Sequence, residues 1–273
     1  MKSRILKHCC LSVVILIALA GTLMAQEENG FSASASVDYF NKFVWRGMNL
    51  NDDSVLEFNM EGSAWGFTGG IWSNMPLTDF ASQAGEFDEV DFSLDYSRSI
   101  SSTNDKVGFS LGVIHYTFQG YATPTTEIYG GLRFNVPLSP SVTWYRDVDE
   151  IDGSYIQFGL SHAFEKLHKW SDDEYVGIEL TGNFGLGGSS YNAGYFSVYD
   201  EETAEWLNPD VEKTKFNDFT LNIAFPFQLK HGISITPSFN ISTILSGSIR
   251  DWYSYGTGES TNVWFGVNFT KTF

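Results

Sequence analysis

The sequence predicts an all-β protein, a transmembrane antiparallel β-barrel of about 12 strands. Three observations predict it: an export segment at the N-terminus, long stretches that alternate apolar and polar side chains, and connections that alternate between short and long. Composition agrees. Of 273 residues 16% are aromatic and only 18% charged, while mean hydropathy is slightly negative at −0.13. Many rings beside a negative hydropathy describe a chain with two unlike surfaces. Such a chain carries too much apolar surface to be disordered. Its net charge of −17 repels phosphates and excludes a nucleic-acid partner. Two cysteines are too few for a disulfide-stapled domain.

Residues 1–25 read as a signal peptide. Lys2, Arg4 and Lys7 form its basic start, Leu11 to Leu19 its apolar centre, and Ala20 to Ala25 the small-residue site after which cleavage is expected. The apolar run is shorter than the roughly 20 residues of a spanning helix. Cys9 and Cys10 precede that run, whereas a lipidated cysteine would follow it. Cleavage removes three basic residues, no acidic ones and both cysteines, so residues 26–273, the expected barrel, carry −20.

Period-2 alternation marks strands with two different faces. In Glu89 to Ile100, Val90, Phe92, Leu94 and Tyr96 share one face, and Glu89, Asp91, Ser93, Asp95 and Ser97 the other. Phe219 to Phe227 and Ile233 to Leu245 repeat the pattern. Twelve such segments are expected, at 31–46, 54–65, 67–74, 87–100, 106–118, 125–136, 140–147, 155–165, 175–187, 214–227, 233–245 and 262–273. The third and seventh are the weakest, since apolar residues such as Trp144 and Tyr145 sit on both faces. Strands of a soluble sandwich average about 5–6 residues, whereas these are long enough to cross a bilayer at a tilt. Even-numbered connections are short, as at Gly66, Ser101 to Asp105 and Pro137 to Ser139; Met75 to Glu86, Gly188 to Lys213 and Ser246 to Thr261 are long. Short turns at one end and long loops at the other typify outer-membrane barrels. Lys166 to Glu174 is a long turn for the short side. Closure leaves no unpaired edge, which a bilayer requires. Trp45, Tyr96, Tyr116 and Phe118 are expected in the aromatic girdles at the membrane surfaces.

The last segment places Val263, Phe265, Val267, Phe269 and the terminal Phe273 on one face. It resembles the C-terminal assembly signal of bacterial outer-membrane proteins, which implies the barrel-assembly machinery as a partner. Lys271 departs from that pattern and is expected to snorkel. The block Val37 to Gly47 and the stretch Gly66 to Met75 resemble the opening of the TorF-like family of bacterial outer-membrane porins. Ser36, Asp38, Tyr39, Arg46, Gly47, Trp72, Ser73 and Asn74 carry the match, although Trp72 and Ser73 adjoin where the family separates them. The resemblance implies a porin-like activity and no catalytic residues.

If apolar residues face lipid, the opposite parity faces the lumen. Asp38, Lys42, Arg46, Glu57, Glu61, Glu89, Asp91, Asp95, Glu127, Arg133, Glu179 and Asp218 then line the interior, nine acids against three bases. Two roles compete for them: an acidic pore favouring cations, or an ion-pair network filling a narrow lumen. Twelve strands lie between the filled small barrels and the open large ones. A hydrolase would need a His-activated serine; the surroundings of His115, His162, His168 and His231 do not supply one. The run Asp147 to Gly153 hints at calcium but lacks the spacing and the twelfth-position glutamate of an EF-hand loop. The acids Asp200, Glu201, Glu202 and Glu205 are expected in a loop that meets ions bridging lipopolysaccharide. The expected protein is thus a bacterial outer-membrane barrel passing small hydrophilic solutes without cofactor or metal, its partners being membrane lipids and lipopolysaccharide. The alternative is a non-conducting structural or adhesive barrel acting through its loops.

Overall fold

The computed structural model describes residues 30–79, 83–120, 122–197, 199–200, 205–206, 209–251 and 258–273. The signal-peptide segment, and Glu201 and Glu202 of the acidic loop, lie outside the described residues.

A closed antiparallel barrel of 12 staves follows from the alternation. The staves are β1 (Ser32–Phe40), β4 (Val55–Ala64), β5 (Phe67–Pro76), β6 (Glu89–Ser99), β7 (Val107–Phe118), β8 (Thr125–Phe134), β9 (Ser141–Asp147), β10 (Ser154–Lys169), β11 (Tyr175–Gly187), β14 (Lys215–Ala224), β16 (Ile233–Ile244) and β17 (Thr261–Thr272). Each pairs with its neighbour in sequence, and β1 pairs with β17 to close the ring. Pro226 interrupts the tenth stave, which resumes as β15 (Phe227–Leu229), because proline has no N–H for the ladder. Two further ribbons are not part of the barrel wall: β2 (Phe43–Trp45) with β3 (Met48–Asn51), and β12 (Tyr199–Asp200) with β13 (Glu205–Trp206).

The weak third and seventh segments are both staves. Cross-strand register sorts their mixed faces: Trp144 pairs with Ile156 on the outside, and Tyr145 with Tyr155 on the inside. Around the whole ring the outer parity is apolar. Leu111, Phe239 and Val263 are 57%, 60% and 62% exposed, and Phe265 and Phe269 stand beside them on β17. A soluble barrel would not leave such a belt open to water. The inner parity runs Asn268–Asp38–Glu57–Asn74–Glu89 from β17 to β6, one unbroken polar row.

Two boundaries differ from expectation. The first stave stops at Phe40, not residue 46, because the chain turns inward to make the β2–β3 ribbon. The eighth continues to Lys169 through a bulge between Phe164 and His168, where Lys166 takes a positive φ of 55°. Its turn is therefore short, Trp170 to Glu174, and the apparent exception disappears. The long connections, 41–54, 77–88, 188–214 and 245–260, all lie at one end of the barrel, the loop end, and the opposite end, the turn end, carries only short ones.

Three of the four expected girdle aromatics are not on the outside. Tyr116 and Phe118 have the parity of Asp91 and Glu89 and face the lumen, while Trp45 belongs to the inward ribbon. The β7 alternation carries large apolar groups on both faces, so residue type alone does not report which face is which. Tyr96 does lie outside, its ring 4.7 Å from that of Phe67. Lys271 is held at the turn end, its ammonium donating to the carbonyls of His231 and Thr272.

Small residues on the inner wall make room for large ones opposite. A Cβ on Gly185 would lie 2.0 Å from Tyr155 Oη and 2.3 Å from Asp218 Oδ2, whereas one on outward Gly182 would meet only Phe219 at 3.8 Å. Gly185→Val is therefore expected to cost about 1–3 kcal/mol of stability by overpacking, and Gly182→Val much less. Urea unfolding of the two variants, followed by tryptophan fluorescence, measures the contrast.

Candidate functional site

The site begins with a two-residue turn. Arg46 (φ 45°) and Gly47 (φ 83°) are both left-handed between the paired residues Trp45 and Met48. Two successive positive φ angles define the turn whose twist suits a tight hairpin. The ribbon is thereby folded back on itself and driven, tip first, into the loop-end half of the lumen. Gly47 is obligatory at the tip, since a Cβ there would lie 2.7 Å from Asp218 and 2.8 Å from Ile244.

Arginine at a left-handed position carries strain and persists only where the surroundings over-determine it. Here they do. Its guanidinium makes two parallel hydrogen bonds to Glu127, at 2.8 and 2.7 Å, the geometry that suits a planar fork. The side chains are 8% and 4% exposed. The guanidinium also lies 4.4 Å from the Trp45 and Tyr155 rings and 4.7 Å from that of Tyr145, where cation–π attraction adds to the pair. Tyr116 donates its hydroxyl to the same Glu127 carboxylate at 2.9 Å.

Other segments close around the ribbon. α1 (Ser189–Phe196), in the β11–β14 connection, brings Tyr191 and Phe196. α2 (Gly247–Arg250), in the β16–β17 connection, brings Ile249. With Met48, Val211, Ile244 and Tyr155 they form a buried core inside the barrel mouth. Asn192 ties the two legs of the long connection by donating to the carbonyls of Gly187 and Lys213 and accepting from Asn217.

The residues expected in the lumen sort into three groups. Asp38, Glu57, Glu89, Asp91, Asp95, Glu127 and Asp218 all point inward from the wall, most of them near the ribbon. Glu61, Arg133 and Glu179 keep the inward parity nearer the turn end. Lys42 and Arg46 are not on a stave. Lys42 sits at the mouth, where its ammonium bonds Asp52 and reaches Glu259 at 3.4 Å. That hydrogen bond holds the Asp52 carboxyl below its ordinary range. Arg46 does enter the lumen, by the fold of the ribbon and not by strand parity.

Most inner acids accept from neutral donors. Tyr155 donates to both oxygens of Asp218, at 3.1 and 2.9 Å. Tyr129 donates to Asp95 at 2.8 Å, Asn268 to Asp38, and Trp72 Nε1 to Glu57 at 3.3 Å. Among the described residues, Glu127 is the one inner-wall acid with an ion-pair partner. Sequence reading missed Tyr129, Tyr145, Tyr155 and Tyr191, whose roles depend on partners distant in the chain. Asp147, the first acid of the calcium-like run, accepts from Thr125 Oγ1 and from the backbone of Asp149 and Ile151, so it serves as a turn cap.

Two of the cavities in the lumen are lined by Trp45 of the ribbon. One, of about 320 Å³, lies against β9–β14 beside Arg46, Gln157 and Thr220. The other, of about 310 Å³, lies against β4–β6.

No family model matches the chain, and no curated protein matches it. Solved structures similar in fold include an outer-membrane channel from Pseudomonas putida F1 (7% identity, 91% of this chain, 97% of that one, TM-score 0.44). OmpF of Salmonella typhi in complex with daunomycin has 6% identity, covering 89% and 97%, at TM-score 0.39. An anion-selective porin from Comamonas acidovorans has 10% identity, covering 89% and 98%, at TM-score 0.33.

Arg46→Ala leaves Glu127 buried without a counter-charge. It is expected to destabilise by about 3–5 kcal/mol, the usual cost of breaking a buried pair. The Arg46→Ala/Glu127→Gln double variant should recover part of that loss, measured by denaturant titration of all three proteins.

Proposed function

We propose that the chain is a bacterial outer-membrane channel that passes small hydrophilic solutes and prefers cations. The observation that supports this best is the lumen. Its wall is polar from the turn end up to the ribbon, and its acids outnumber its bases once Arg46 and Glu127 cancel. Such a wall lowers the energy of a cation and raises that of an anion. The apolar outer belt favours a hydrocarbon surrounding, and the N-terminal export segment and terminal Phe273 favour the outer membrane as its location, with the assembly machinery as partner. The resemblance of Ser36 to Asn74 to TorF-like porins belongs to the same reading. On this orientation the loop end faces outward and the turn end the periplasm.

A second reading has one observation in its favour. Met48, Val211, Ile244 and Ile249 are fully buried at the barrel mouth, as in a sealed core. On that reading the barrel is structural and its loops do the work.

Planar-bilayer recording separates the two. Purified full chain under a salt gradient should give discrete conductance steps with a cation-selective reversal potential. Absence of steps would favour the sealed barrel, and an anion-selective potential would overturn the preference.

A further inference from the structure

We infer that the cavity between the ribbon and the β4–β6 wall binds an organic monocation, an ammonium group carrying small alkyl substituents. This deepens the channel reading by assigning a solute class to the lumen. The cavity holds about 310 Å³, at the small end of ligand pockets. Its aromatic lining is Phe43, Trp45, Trp72 and Tyr116, and its acids include Glu89 and Asp91. Among the described residues, no lysine or arginine lines it.

The aromatic walls are ordered by their own contacts. Phe43 and Trp72 have centroids 5.8 Å apart, and Trp45 meets Tyr116 edge-on at 6.4 Å. Trp72 Nε1 donates to Glu57, which fixes the indole against the wall. Of the two acids Glu89 is the unsatisfied one, since Asp91 accepts a backbone hydrogen bond from Thr117. Glu89 is only 7% exposed and, among the described residues, accepts no side-chain hydrogen bond and faces no cation. Its inward cross-strand neighbour Asn74 leaves its buried Oδ1 without a partner, and so does Asp91 with its Oδ1.

A buried carboxylate without a counter-charge is costly, and a neighbouring carboxylate makes it worse. An inorganic ion would satisfy the charge but leave four rings idle. An alkylammonium uses both, through the carboxylates on one side and the ring faces on the other. Arg46 shows the same chemistry one cavity away, where a cation of this chain sits among rings and on a carboxylate.

The test uses the full chain in detergent micelles, with choline and its uncharged carbon isostere 3,3-dimethyl-1-butanol. Choline should quench tryptophan fluorescence saturably at one site, and the isostere should bind at least about tenfold more weakly, as expected when charge carries the recognition. Glu89→Gln and Trp72→Leu should each weaken choline about tenfold or more, while Glu179→Gln, in the lumen but outside this cavity, should not. Heat-dependent gel migration checks that each variant is folded, and Asp91→Asn replaces Glu89→Gln if the latter is not. If no acid variant folds, the choline–isostere contrast on the unaltered chain decides. Equal binding of choline and isostere, unchanged binding by Glu89→Gln, or displacement of choline by micromolar magnesium or calcium would overturn the assignment. Choline binding without conductance would overturn the channel reading alone; conductance without choline binding would overturn this site alone.

Discussion

The buried pair between Arg46 and Glu127 is the interaction on which the interior of this barrel depends. It joins the ribbon tip to β8, between residues 81 positions apart in the chain. The pair compensates for a left-handed arginine and for placing two charges in a wall of rings. Remove it and the ribbon tip keeps only its packing, Met48 among Tyr155 and Ile244, and the hydrogen bonds of Asn41 to Phe265 at its base. The two cavities beside Trp45 exist because the tip is held there.

The remainder of the interior answers to one constraint, that a closed ring gives each stave one face to the outside and one to the lumen. Outside, the constraint produces the apolar belt. Inside, it stacks polar groups from stave to stave, so that Asp38, Glu57, Asn74 and Glu89 lie in one row although they come from four strands. Hydroxyl and amide donors satisfy most of these acids without neutralising them. The result is a lumen that stays acidic while remaining hydrogen-bonded, with Glu89, among the described residues, accepting no side-chain hydrogen bond.

The barrel was legible because a period of two is written locally. Each stave declares its two faces in its own residues, and even β5 and β9 were located. The inner parity of Glu57, Glu89, Asp91, Glu127 and Asp218 followed from the same rule. The rule failed where apolar residues also face inward. Tyr116 and Phe118 have the size of girdle residues, yet they pack against a ribbon that no local pattern announces. Arg46-Gly47 between Trp45 and Met48 is the one local hint of that ribbon, and it was hidden by an alternation that runs on past Phe40.

By itself, then, the sequence determined the fold class, the stave count and the sign of the inner wall, since these depend on local alternation and on composition. Tertiary structure alone decided that the first loop turns into the lumen, that Arg46 meets Glu127 there, and that Glu89 is left without a cation. Those outcomes rest on contacts between residues far apart in the chain, such as the 81 positions separating Arg46 from Glu127. No window of sequence contains both members of such a pair, so only closure of the ring brings them together.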